Sequence, residues 1–239
     1  MRAIILAAGR GSRLKELTDD KPKCLVELKG KTLLSRQLDS LRSAGISEIG
    51  IVTGYKKELL KPYGLHEFHN QRWHETQMVA SLREASKWLR EEPCIVSYSD
   101  IFYDAIAVTR LLEAQADLAV AYDPDWRKLW EGRFESPLLD AETFKLRPNR
   151  TLAEIGNVPN SIEEVEGQYV GLLFFTPKGW NVFQAVIDGL SGLVRDRLDM
   201  TSALNKLIQK DEIDMHGVAI EGLWGEVDHP SDLLLYEKI

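Results

Sequence analysis

The sequence predicts an α/β fold, a single domain with a central, mostly parallel mixed sheet flanked by helices. Three observations predict it. Short apolar runs alternate with helical patterns through the first half of the chain. The runs end at glycine or at a small polar pair, as parallel strands do where they meet a ligand rim. With 239 residues, 44% of them hydrophobic, the chain can bury a substantial core in one unit.

Residues 3–8 form an unbroken apolar run, read as a buried strand that stops at Gly9. Residues 33–44 set Leu33, Leu34, Leu38 and Leu41 on one helical face, and Gly45 ends the pattern. Residues 49–53 are a second strand ending at Gly54 and Tyr55. Residues 78–89 read as a helix closed by a charged turn and Pro93. A third strand, 94–98, runs into Ser99 and Asp100, and a helix over 106–114 precedes a fourth strand, 118–122. Strands alternating with helices make a parallel sheet. Its carboxyl rim is expected to carry the segment from Gly9 to Arg13, the pair Gly54 and Tyr55, and the pair Ser99 and Asp100.

The second half is less regular. Residues 125–160 are rich in charge, Pro and Trp, and are expected to form loops and hairpin strands over the rim. Residues 169–175 are a strand, 179–190 and 201–209 helices, and 217–220 a strand, with Thr201 and Ser202 expected to cap their helix. A short helix follows His229 and Pro230. No internal repeat, low-complexity tract or linker is evident.

A formal net charge of -7 argues against nucleic-acid binding, which needs a basic face. A small anion needs only a local positive pocket. Cys24 and Cys94 match no zinc spacing and suggest a reduced chain. The start is unlike a signal peptide, and no segment approaches the ~20 apolar residues of a membrane span, so a cytoplasmic protein with no membrane partner is expected. His66, His69 and His74 lack a zinc-binding helix context.

The first apolar run leads into Gly9, Gly11, Ser12 and Arg13, with Lys23 close behind. A Walker loop fails because Leu25 stands where its first glycine belongs, and a dinucleotide fingerprint fails at Leu14. The physics of a phosphate cradle survives: glycines let backbone N–H groups approach an anion, while Arg13 supplies a planar fork and Lys23 a mobile charge. A strand-to-helix turn with solvated cations accounts equally well for the glycines alone. Asp100 and Asp228 both follow apolar segments. Each has a plainer reading, Asp100 as a turn residue and Asp228 as a helix cap before Pro230.

The residues from Ala3 to Leu14, with Pro22, Lys23 and Leu25, match the pattern LAAGxGxRLxxxTxxxPKxL at every fixed position. The stretch resembles the signature of the nucleotidyltransferases that activate sugar phosphates and phosphocholine. The resemblance extends to Gly54 and Tyr55, to Tyr98, Ser99 and Asp100, and to the closing run Trp224, Gly225, Glu226, Val227 and Asp228. It implies a nucleoside triphosphate held by Leu6, Ala7, Ala8, Gly9, Gly11, Ser12, Arg13, Gly54, Tyr55, Gln77 and Ser99, catalysis by Lys23 and Arg13, and Mg2+ held by Asp100 and Asp228. It implies a nucleotide-binding part over about residues 1–122 and an acceptor-binding and lid part over about 123–239.

Residues 70–82, with Trp73, Thr76 and Gln77, are similar to a block of the phosphocholine cytidylyltransferase branch, which implies CTP. Residues 125–145 and 167–172 resemble a sub-branch acting on phosphorylated amino-acid-like acceptors, such as phosphoglutamine, or on aminoalkylphosphonates. That implies a phosphate or phosphonate acceptor, and a product used in cell-surface polysaccharide biosynthesis. Lys128, Arg133, Asp140, Glu166, Tyr169 and Glu226 are the candidate acceptor contacts, each alternatively a solvated surface group. Trp126 and Trp130, four apart, pack a lid or face an ammonium. A sugar-1-phosphate nucleotidylyltransferase and an inactive nucleotide-binding regulator are the competing readings. The oligomer is expected to be a monomer or a homodimer.

Overall fold

A computed structural model describes residues 1–238. Seven strands make one sheet: β1 (Arg2–Ala7), β2 (Glu48–Thr53), β3 (His66–His69), β4 (Cys94–Tyr98), β5 (Leu118–Asp123), β6 (Gln168–Phe175) and β7 (Met215–Ala219). Their order is β7-β5-β6-β4-β1-β2-β3. Only β6 runs against its neighbours; the other pairings are parallel. The mostly parallel mixed sheet expected from the sequence is therefore present.

The apolar runs are strands because both their faces are covered. Ala3, Ile5 and Ala7 of β1 face helix α1 (Leu33–Ser43), through Leu34, Leu38 and Leu41. Ile4, Leu6 and Ala8 face the opposite core, built with Trp180, Phe183, Leu204 and Leu207. Thr32 caps α1 by accepting the Ser35 N–H at 3.1 Å. The expected helix over 78–89 is two pieces, α2 (Met78–Glu84) and α3 (Ser86–Glu91). The Ser86 hydroxyl donates to the Arg83 carbonyl at 2.5 Å, and such local bonds compete with the helical ladder. Helix α4 (Ala105–Glu113) follows the third apolar strand as expected.

Within residues 125–160 the expected hairpin exists, Phe144–Leu146 against Leu152–Ile155, but the segment opens with a helix, α5 (Trp126–Arg133). Its buried face is Trp126 and Trp130, and an Arg127–Glu131 pair at 2.8 Å spans the next turn outside. Both tryptophans pack in the interior. Helices α6 (Pro177–Asp188), α7 (Gly192–Asp196) and α8 (Met200–Lys210) complete that half. The cap of α8 is Asp199, whose carboxylate accepts the Ser202 N–H at 2.8 Å; Thr201 and Ser202 lie within the helix.

A short antiparallel pair decides where the remote carboxylates meet. Residues Ile101–Tyr103 pair with Trp224–Glu226, and the Val227 N–H donates to the Asp100 carbonyl at 2.9 Å. This draws Asp228 to the end of β4. Helix α9 (Pro230–Tyr236) then starts with Asp232 accepting the N–H groups of Asp228 and His229, each at 2.8 Å. Capping therefore falls to Asp232 and leaves the Asp228 carboxylate free for other partners. No helix among the described residues is long and apolar enough to cross a membrane.

Candidate active site

Parallel register aligns the ends of β1, β2 and β4: Leu6 lies opposite both Val52 and Tyr98. The Tyr55 N–H donates to the Ala8 carbonyl at 2.9 Å, so Gly54 and Tyr55 sit beside the loop that leaves β1. The side chains of Leu6, Ala7 and Ala8 are buried, leaving only their backbone to meet a ligand. Gly9 and Ser12 are exposed, Ser99 is half-buried, and Gln77 is exposed at the start of α2.

Gly11 is left-handed, with φ 76°, and its carbonyl accepts the Leu14 N–H at 3.0 Å. A Cβ there would come within 2.7 Å of Lys23 Cβ and 2.8 Å of its Cδ. The glycine is thus where the lysine stem crosses the loop. Gly11→Ala is expected to cost about 1–3 kcal/mol through this clash and the positive φ. It should also displace Lys23; a urea melt and a turnover assay on one preparation check both effects.

Lys23 Nζ donates to Asp100 at 2.9 Å and to Asp228. Arg13, with an exposed side chain, reaches the same Asp228 oxygen at 2.8 Å. Asp100, Glu226 and Asp228 offer carboxylate oxygens within 4.8 Å of one another. Arg133 closes the cluster from below, 3.1 Å from Glu226 and 3.6 Å from Asp228.

Burial opposes the charge of Lys23, but Asp100 and Asp228 outweigh it and hold the ammonium above its ordinary value. Burial likewise pushes Asp228 up, while Lys23, Arg13 and Arg133 together bring it below the usual carboxylate range. Glu226 is raised, first by burial and then by repulsion from Asp228 and Asp100.

Three carboxylates this close repel one another, which a divalent cation would relieve. One oxygen of Asp100 is buried without a hydrogen-bond partner among the described residues. Hard oxygen donors with one left unsatisfied fit a divalent ion. Among the described residues the histidines form no such group: His66 stacks on Trp88, with ring centroids 4.7 Å apart, and His69 faces Thr53.

A cleft of about 300 Å³ opens beside the cluster, lined among others by Arg13, Gln77, Asp140, Tyr169, Glu226 and Asp228. A larger depression, about 660 Å³, lies over α7 and α8 and contains none of the clustered carboxylates. The smaller cleft, not the larger depression, therefore adjoins the clustered carboxylates. It brings Asp140, Tyr169 and Glu226 together, but not the other three candidate acceptor contacts. Lys128 is exposed on a separate depression with Leu129 and Leu223. Glu166 is exposed and accepts the Leu146 N–H at 2.9 Å, tying down the hairpin. Arg133 has no exposed side-chain surface, so it can touch the carboxylates but not a ligand in the cleft.

The sequence reading missed Glu142, Gln168 and Asp199, which also line the cleft. Glu142 stands two residues from Asp140, a spacing that returns to one side of extended chain. Gln168 and Tyr169, the first residues of β6, both line the cleft, and a bulge follows them. Gly171 has φ 78°, and the β5–β6 register shifts between Tyr169 and Leu173. A Cβ at Gly171 would meet the Tyr98 ring at 2.8 Å, so the bulge also makes room for that aromatic. Gln168 Oε1 and the Tyr169 hydroxyl are buried with no partner among the described residues. Burial raises both Asp140 and Glu142 above the usual carboxylate range.

The chain is similar to several known proteins. Residues 3–173 match the family model for the MobA-like NTP transferase domain. The chain is 39% identical to CTP:phosphoglutamine cytidylyltransferase of Campylobacter jejuni, over 98% of each sequence. It is 42% identical to choline-phosphate cytidylyltransferase of Streptococcus pneumoniae over 30% of this chain and 34% of that one. The structure of the inositol-1-phosphate CTP transferase from T. maritima superposes with a TM-score of 0.76 at 18% identity, covering 99% of this chain and 95% of that one.

Proposed function

Because the chain belongs to the MobA-like NTP transferase family and is a nucleotidyltransferase, we propose that it transfers CMP from CTP to a small phosphorylated acceptor, releasing pyrophosphate. The observation that carries this reading is the convergence of Lys23 and Arg13 on Asp100 and Asp228. Cations for a triphosphate and oxygens for a divalent ion then share one rim. The 39% identity to CTP:phosphoglutamine cytidylyltransferase supports CTP and a phosphate acceptor.

In the reaction an acceptor oxygen attacks the α-phosphorus of CTP. A new P–O bond forms as the bond to the β-phosphate oxygen breaks, and pyrophosphate departs. A phosphate monoester has its second pKa near ~6, so the attacking group is already largely ionised and needs no general base. The protein's task is positioning and charge neutralisation. Backbone N–H groups of residues 9–12 cradle the phosphates, with Leu6, Ala7, Ala8, Gly54, Tyr55, Gln77 and Ser99 around the nucleotide. Lys23 addresses the α-phosphate and the incoming oxygen, and Arg13 the β- and γ-phosphates. Asp100 and Asp228 would hold Mg2+, with Glu226 beside it; bound there, the ion supplies charge neutralisation at the phosphate oxygens.

The nucleotide is held by residues 1–122 and the acceptor by 123–239. Asp140, Glu142, Asp199 and Gln168 Oε1 give the cleft electron-rich oxygens. Such a lining suits an acceptor whose organic end carries an ammonium, as phosphoglutamine does, better than a hexose. The test is a pyrophosphate-release screen of the four ribonucleoside triphosphates and dTTP against phosphoglutamine, phosphocholine, 2-aminoethylphosphonate and hexose 1-phosphates. Turnover is expected with CTP and an amine-bearing acceptor. Turnover only with UTP, GTP or dTTP and a hexose 1-phosphate would make it a sugar nucleotidylyltransferase. CTP binding without release from any acceptor would make it a regulator.

A further inference from the structure

Arg133 takes no part in the chemistry just outlined, yet its cation is more fully enclosed than Lys23 or Arg13, with 0% of its side chain exposed. Nη1 donates to Glu226 at 3.1 Å, Nε donates to Asp232 at 3.2 Å, and Nη2 lies 3.6 Å from Asp228 Oδ2. The guanidinium lies over Trp130 at 4.8 Å and Phe134 at 5.1 Å. Asp232 is itself fixed, by the N–H groups of Asp228 and His229. Lys23 and Arg13 both contact Asp228 Oδ1, so Arg133 is the cation on the other oxygen.

Burying a cation among three carboxylates carries a desolvation penalty, and well-packed apolar residues often match or exceed such a network in stability. What an arginine adds is a rigid planar fork that fixes several oxygens at once. We infer that Arg133 is a positioning residue that sets the divalent-ion affinity of the cluster by fixing Asp228 and Glu226 from beneath. The inference rests on the ion-holding role proposed for Asp100 and Asp228. Groups that orient metal-ligating carboxylates alter metal affinity by about 10–100-fold when changed.

Arg133→Lys separates orientation from charge, because the lysine keeps the positive charge and loses the fork. Two quantities are read for wild type, Arg133→Lys, Asp232→Asn and Asp228→Asn. One is the Mg2+ dependence of the melting temperature without nucleotide; the other is the Mg2+ activation constant of CTP-dependent pyrophosphate release. Arg133→Lys is expected to raise the Mg2+ constant about 10–100-fold in both assays, with kcat at saturating Mg2+ within about threefold of wild type. A purely structural arginine would lower the melting temperature and leave the Mg2+ constant alone; that result overturns the inference. Should Arg133→Lys fail to fold, Asp232→Asn decides, since it frees the arginine from its anchor. A raised constant there supports the inference, and an unchanged one overturns it. A wild type indifferent to Mg2+, matched by Asp228→Asn, overturns the ion-holding reading together with this one.

Discussion

Asp228→Asn is expected to lower kcat/KM by at least about 10³-fold, on the order of 4 kcal/mol in transition-state stabilisation. Asparagine keeps the shape and removes the charge, leaving Lys23, Arg13 and Arg133 without their shared partner. The loss should fall on turnover, because Asp228 would hold the ion that neutralises charge developing during the transfer. Stability responds as well, in a direction set by the lowered pKa of Asp228. A carboxylate held below its unfolded value contributes stability above about pH 4, and that contribution fades as pH falls through the folded-state value. The variant should therefore melt below wild type at neutral pH, with the gap narrowing in acid. Pyrophosphate release across CTP concentrations, with melts at two pH values, tests both parts. Activity within tenfold of wild type would remove Asp228 from the reaction.

Lys23→Met should cost about 10²–10³-fold in kcat, the range seen when one preorganised donor to a developing charge is removed. Methionine retains the stem that crosses Gly11 and drops only the ammonium, so packing over the loop survives. Lys23→Arg is not expected to rescue it. The guanidinium is wider than an ammonium, and Lys23 Nζ is already confined between Asp100 and Asp228. Single-turnover measurements with saturating CTP and Mg2+ separate this loss of chemistry from weaker binding. A Lys23→Arg enzyme near wild-type rate would show that charge alone matters there.

Much of this was legible in the sequence, for a physical reason. Strands 3–8, 49–53, 94–98 and 118–122 are buried on both faces, so each is an apolar run that needs no periodicity to be seen. His66–His69, at the sheet edge, is polar at all but Phe68 and gave no such signal. Asp100 and Asp228 could be suspected from their positions after apolar segments and from the family pattern. Their meeting depends on three-residue strands, Ile101–Tyr103 and Trp224–Glu226, too short for any alternation to declare itself. Charge was the least readable property. Lys128, Arg133 and Glu166 look alike as letters, but one is exposed, one enclosed by two aromatic rings, and one fastened to a hairpin. The aromatic neighbours Trp130 and Phe134 were the available hint for Arg133.

The Trp224–Glu226 pairing also bears on when the protein becomes competent during its own synthesis. A ribosome that has released the first two hundred residues has supplied six of the seven sheet strands and the glycine loop, but neither Glu226 nor Asp228. A chain released only that far carries Lys23 and Arg13 with Asp100 as their sole acidic companion from that cluster. Reactivity toward nucleotides should thus switch on only after the segment carrying Glu226 and Asp228 has been released and has paired with residues 101–103.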